Sequence, residues 1–219
     1  MRERLTTPLC LLSLLAAGII AGLSTPASAD GVSITADADS YVRSDLANNN
    51  YGAAPVLYTD AANATGPDMR TFLSFDLTGQ PSDRVVESAV LRVTTAASST
   101  SGSAGTVAFK LVPGDAWTES GLVWSNAPAA DRTVGTLAST TYAQQYSVTL
   151  DPSAVQQASG SRLSLEIDTT STDSFAIASK EGSLGAPRST SPTARVPSSR
   201  PTPRWSPAPT RTPTPLPPG

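Results

Sequence analysis

The chain of 219 residues contains no histidine, and its one cysteine, Cys10, lies near its start. Without histidine, the commonest acid–base group and metal ligand is missing. Beyond Cys10 there is no thiol, so the bulk of the chain has neither a disulfide nor a cysteine nucleophile and must be held together by burial. Aromatic residues make up only 5% of the chain, with three tryptophans. Basic charge is also short: residues 30–187 carry 8 Lys+Arg against 17 Asp+Glu, a net of −9. Such a body repels phosphate backbones, which argues against nucleic acid as a partner.

What is present divides the chain into three. Arg2 and Arg4 precede an apolar run over 9–23, and Ala27-Ser28-Ala29 follows it. A charged head, an apolar middle and a small-residue cleavage site predict a secretory signal over 1–29. The run is too short for a membrane anchor, and Cys10 lies at the wrong end for a lipid anchor. The expected product is a secreted, extracellular chain starting at Asp30, with no membrane insertion after cleavage. At the other end, 187–219 hold eleven of the 19 prolines, and 188–219 hold five arginines and no acid. That composition predicts an extended, disordered tail over 188–219. The folded domain is expected over 30–187.

Within that domain, short runs alternate apolar and polar residues with period two, and Gly, Pro, Asn, Asp and Ser punctuate them. Strands are expected at 32–35, 38–43, 56–60, 70–77, 86–95, 106–112, 133–137, 145–150, 162–168 and 175–179. In 70–77, Thr71, Leu73, Phe75 and Leu77 share one face, and Arg70, Phe72, Ser74 and Asp76 the other. Asp151-Pro152 opens DPSAVQQAS, a cap and first-turn pair that suits a short helix. There is no βαβ rhythm, so the fold class is all-β: an antiparallel β-sandwich or jelly roll with one short helix. Roughly 160 residues can bury about 70% of their unfolded surface, enough without disulfides. The stretch DAWTESGLVWSNAP, with Trp117 and Trp124 beside turn formers, is expected to be a packed connection across one end of the sandwich.

Five segments in order carry a family likeness: ADADSYVRSD with NNNYG after it, MRTFLSFDL, SAVLRVTT, WTESGLVWSNAP and FAIASKEG. Over about 34–186 they resemble the bacterial DNRLRE domain, grouped with carbohydrate-binding module family 96. The resemblance implies a secreted β-sandwich module of larger surface or polysaccharide-degrading proteins, with alginate as the ligand of some members. One departure stands out. Members usually end on an apolar strand after the SKEG-like segment, whereas here Arg188-Ser189-Thr190-Ser191-Pro192 shows no apolar alternation. The closing strand is therefore expected to be missing.

For an acidic polysaccharide, the cations to grip uronate carboxylates are Arg43, Arg70 and Lys180, with Arg92 a weaker fourth. Tyr51, in the asparagine-rich loop, is the expected stacking residue, and Trp117 and Trp124 are read as packing anchors. No cofactor is expected. Calcium is the one metal that Asp37, Asp39, Asp60 and Asp68 suit, although their spacing is not that of an EF-hand. A glycosidase would need a carboxyl pair, Glu119 with Glu181 or with Asp115. No nucleophile–base constellation accompanies them. The reading is a non-catalytic module for an acidic polysaccharide such as alginate. The alternatives are a structural or adhesive surface domain and a polysaccharide-active enzyme. The oligomeric state stays open.

Overall fold

The computed structural model describes residues 30–114 and 117–194. The expected signal and the chain beyond Ala194 lie outside the described residues. Among the described residues antiparallel sheets dominate, with a single α-helix. The strands are β1 (Asp30–Thr35), β2 (Ala38–Arg43), β3 (Val56–Thr59), β4 (Met69–Asp76), β5 (Val85–Val86), β6 (Ala89–Thr94), β7 (Thr106–Val112), β8 (Thr133–Ala138), β9 (Gln145–Leu150), β10 (Arg162–Thr169), β11 (Phe175–Ala178) and β12 (Arg188–Ala194), with α1 (Pro152–Ala158) between β9 and β10. The front sheet runs β2-β4-β10-β7-β8. The back sheet runs β1-β12-β6-β9, with β5 on β12.

The core lies between the sheets, where alternation places it. Leu73, Phe75 and Leu77 from β4 and its end, Leu163, Leu165 and Ile167 from β10, and Val107 and Phe109 from β7 meet Leu91, Val93, Val148 and Leu150 of the back sheet. Each fully buried Leu, Ile or Phe contributes about 1.5–3 kcal/mol, so this layer holds the sandwich together without a disulfide. Both long edges are closed. On one side, the chain passes from β8 to β9, and Gly135 lies so close that a Cβ would come within 2.9 Å of the Thr149 carbonyl. On the other, the chain passes directly from β1 to β2, and the two-stranded sheet β3–β11 joins β4 to the end of β6 through Asp60–Met69 and Thr95–Ile177. Helix α1 buries Ala154, Val155 and Ala158, and its cap is as expected: Ser153 N–H donates to Asp151 Oδ1 at 2.9 Å, with Pro152 in the first turn.

Two expectations are corrected. The closing strand is present: β12 lies between β1 and β6 and pairs with β1 from Thr35↔Arg188 to Asp30↔Thr193. The expected boundary at 187 and the start of a disordered tail at 188 therefore cut through a sheet. Strand pairing is made by the backbone and needs no apolar alternation; among residues 187–190, the inward ones are Pro187 and Ser189. Pro192 falls after the Thr190↔Val90 pair with β6 and before the Thr193↔Val86 pair with β5, a gap where its missing N–H costs no bond on that side.

The tryptophan stretch is the second. It crosses the outer face of the front sheet, not one end of the sandwich. Leu122 is buried there with Val42, Phe72 and Val112, and Trp117, Trp124, Ala127 and Ala130 pack around them. Trp117 meets Phe72 edge-on at 6.0 Å between ring centroids. Phe72 points away from the main core, and an outward phenylalanine requires such a cover.

Candidate functional site

Strand β2 is the front sheet's edge, and Asp39, Tyr41 and Arg43 lie along one side of it, two residues apart. Each gathers a group of partners. Asp39 is 0% exposed. Its Oδ2 accepts the Lys180 backbone N–H at 2.7 Å, and its own N–H donates to Glu119 Oε1 at 3.0 Å. Lys180 Nζ is 3.0 Å from Glu119 Oε1 and also bonds Glu181. A carboxylate oxygen of each of Asp39, Glu119 and Glu181 lies within 4.8 Å of the other two. Burial, aided by the neighbouring Glu181 and Glu119 charges, pushes the Asp39 carboxyl up to about 7, against the Lys180 N–H. Burial acts to raise Glu181, but its bond to Lys180, the Lys180 charge, its own backbone N–H and Ser179 together outweigh this and leave it below the usual range. Lys180 is raised, chiefly by its bond to Glu181.

The loop 44–55 is pinned to this group. Asn50 Nδ2 donates to the carbonyls of Glu119 at 2.7 Å and Leu122 at 2.8 Å. Gly52 presses on the same residue, and a Cβ there would come within 2.5 Å of the Glu119 carbonyl. The pinning sets Tyr51, whose ring stacks on Tyr41 with centroids 4.3 Å apart. Tyr58 of β3 meets Tyr41 edge-on at 5.4 Å and is 37% exposed. Burial and the neighbouring Tyr51 raise the Tyr41 hydroxyl, while the nearby Arg43 charge acts to lower it. Arg43 is forked onto Asp45 through Nε at 3.0 Å and Nη2 at 2.9 Å.

Arg70 lies elsewhere, on the outer face of the front sheet. It bonds Asp68 at 2.9 Å, lies 4.0 Å from Glu166, and covers the Trp124 ring at 4.8 Å. Lys110 joins Glu166 at 3.7 Å and bonds Asp168. This strip belongs to the tryptophan cover, and here the anchor reading of Trp117 and Trp124 fits the packing. So Arg43 and Tyr51 come together, Lys180 sits at Asp39, two positions along β2 from Tyr41 and four from Arg43, and Arg70 is separate. All three cations face carboxylates. Arg92 is on the back sheet, exposed.

The four aspartates considered for calcium do not gather. Asp37 pairs with Arg162 and Asp68 with Arg70, and Asp60 lies beside the β3–β4 bridge. Among the described residues, the carboxylates close enough to share an ion are Asp39, Glu119 and Glu181. Glu119 and Glu181, the pair weighed for catalysis, are brought together; Asp115 lies outside the described residues. The Lys180 ammonium occupies the space between their oxygens.

Asp39 lies in ADADSYVRSD, Glu119 in WTESGLVWSNAP, and Lys180 and Glu181 in FAIASKEG. Three of the five segments that carry the family likeness thus converge on one point. The model for carbohydrate-binding module family 96 matches residues 31–190, most of the chain. This chain belongs to that family. The family 96 match takes in the first pairs of β12, consistent with the closing strand found in the sheet. No curated protein matches the chain. As a member of a carbohydrate-binding family, it is a binding module with a carbohydrate partner. No described helix is long and apolar enough to cross a membrane.

Sequence reasoning missed Tyr41, Tyr58 and Asn50. Tyr41 and Tyr58 carried a signal: each is an aromatic residue inside an alternating strand next to a loop that holds another tyrosine. Asn50 carried none beyond its place in a run of asparagines.

Proposed function

We propose that this family 96 module is secreted and non-catalytic, and that it holds an acidic polysaccharide such as alginate. The observation that carries this reading is the tyrosine cluster at the β2 edge. Tyr58 offers an exposed ring, Tyr51 is fixed beside it through Tyr41, and Arg43 stands at its end. An aromatic face takes the C–H side of a sugar ring, and a guanidinium takes a carboxylate. Lys180 is assigned a supporting role, holding Glu119 and Glu181 and so the loop that carries Tyr51. Arg70, on the opposite face, braces the tryptophan cover. The non-catalytic reading is supported by Lys180, which fills the gap where a scissile oxygen would have to sit between the two glutamates.

The test is a titration of the mature protein with alginate oligosaccharides and with a neutral glucan, at low and high salt, alongside an assay for released reducing ends. Alginate should bind more tightly at low salt, and its affinity should fall as salt screens exposed charges over about 8–10 Å. Tyr58→Ala and Tyr51→Ala should weaken both glycans, whereas Arg43→Ala should weaken alginate alone. Failure of the wild-type protein to bind any glycan would overturn the proposal. Release of reducing ends would move it to the enzyme class.

A further inference from the structure

The charges of this acidic body are not evenly spread. Among the described residues, Arg43, Arg70, Lys110, Arg132, Arg162 and Lys180 all pair with carboxylates. Arg84, Arg92 and Arg188 form no ion pair among the described residues. Two of these three stand side by side: Arg188 of β12 is directly opposite Arg92 of β6, and both are exposed. The row they share continues to Thr35 on one side and Ser147 on the other. The next row along reads Ser33, Thr190, Val90 and Thr149, and Thr94 faces Gln145 at the far end. None of these outward positions carries a carboxylate. These rows of the back sheet's outer face therefore carry hydroxyls, an amide and Val90 with two guanidinium groups, on a body whose net charge over residues 30–194 is −8.

Like charges directly opposite each other across a strand pair repel. Here no protein anion among the described residues relieves the repulsion. The pair lines a recess of about 360 Å³ with Thr94, Gln145 and Leu184. Leu184, 48% exposed, also lines an adjoining recess of about 190 Å³ with Pro55, Val56, Ala97 and Ala178. The two recesses meet at that leucine. One is apolar; the other offers charge and hydrogen bonds.

We infer that the Arg92–Arg188 recess is a second glycan site, which takes the carboxylates of an acidic polysaccharide while the sugar's C–H face rests against Leu184. Arginine's planar fork suits a carboxylate, and two forks on adjacent strands fit acidic groups along one chain. Thr94 and Gln145 supply partners for hydroxyls. The inference rests on the polysaccharide reading above and adds to Arg43 a second set of acid-reading residues on the back sheet, away from the tyrosine cluster.

The experiment uses the mature protein and its Arg92→Ala, Arg188→Ala and double variants, with Arg84→Ala as a control that removes an equal charge elsewhere. Alginate, neutral dextran and dextran sulfate are titrated at low salt, and thermal unfolding checks each variant's fold. Each single variant should weaken alginate about three- to tenfold. The double variant should weaken it further. Dextran affinity should not change, Arg84→Ala should match wild type, and Arg92→Lys should recover only part of the loss. Alginate binding unmoved by the double variant would overturn the site while leaving the module's glycan binding intact. An equal loss in Arg84→Ala, or dextran sulfate bound as tightly as alginate with the same losses, would reduce the recess to unspecific charge and overturn it. No binding of any glycan by the wild type would overturn both readings.

Discussion

Asp39 shows how much one residue can decide. It is an acid with no exposure, one oxygen of which has no protein partner among the described residues. Burial raises its carboxyl from 3.8 to about 7. Between about pH 4 and pH 7, the folded protein therefore holds a proton that the unfolded chain has released, and the contribution to stability falls as pH rises through that window. Above about 7 it levels off. Asp39→Asn keeps the shape and removes the titration. The difference in urea midpoint between Asp39→Asn and wild type should therefore shift in favour of the variant from pH 4.5 to 7 and then stay constant, and a difference flat across that range would contradict the raised value. The main core allows a simpler check. Leu73 and Leu91 are 0% exposed, so Leu73→Ala and Leu91→Ala should each cost about 2–5 kcal/mol in denaturant unfolding. Arg92→Ala, exposed on the same strand as Leu91, should cost under about 1 kcal/mol. At this scale the core was readable, because alternation fixes which side chains turn inward. The site was readable only in pieces. Arg43 and Tyr51 carried their chemistry in their residue types, whereas the meeting of Asp39, Glu119 and Lys180 depends on contacts 80 and 141 positions apart in the chain.

Among the elements, β12 departs furthest from its sequence signature. Its side chains give no period-two signal, yet it has strands on both sides. A chain of residues 30–187 would leave β1 without its partner and expose an edge of β6. It should show no cooperative thermal transition by circular dichroism, whereas a chain ending at residue 194 should unfold in one step close to the full-length temperature. Equal transitions for the two would show that β12 is dispensable. The tryptophan stretch teaches a related lesson. Its anchors were legible, but its destination was not. The clue was Phe72, an apolar residue on the polar side of β4, which marks a face that another segment must cover.

For the molecule as a whole, the fold class followed from strand spacing, punctuation and the lack of any helix–strand rhythm. The order of strands did not, since pairing between β10 and both β4 and β7 is set by tertiary packing rather than by neighbouring sequence. Charge was the most misleading summed quantity. A net of −9 over residues 30–187 hid back-sheet rows that carry two arginines and no acid, because a sum over residues carries no information about which strand face each occupies.

The pairing of β1 with β12 also governs time. Asp30 lies opposite Thr193, so the first and last strands of the sandwich close one loop that contains nearly all of it. Closing so long a loop early is entropically costly, and domains dominated by such distant pairings fold in milliseconds to seconds rather than microseconds. As the chain emerges from the ribosome, the back sheet stays open until residues 188–193 arrive. Closure of the back sheet therefore waits on residues 188–193.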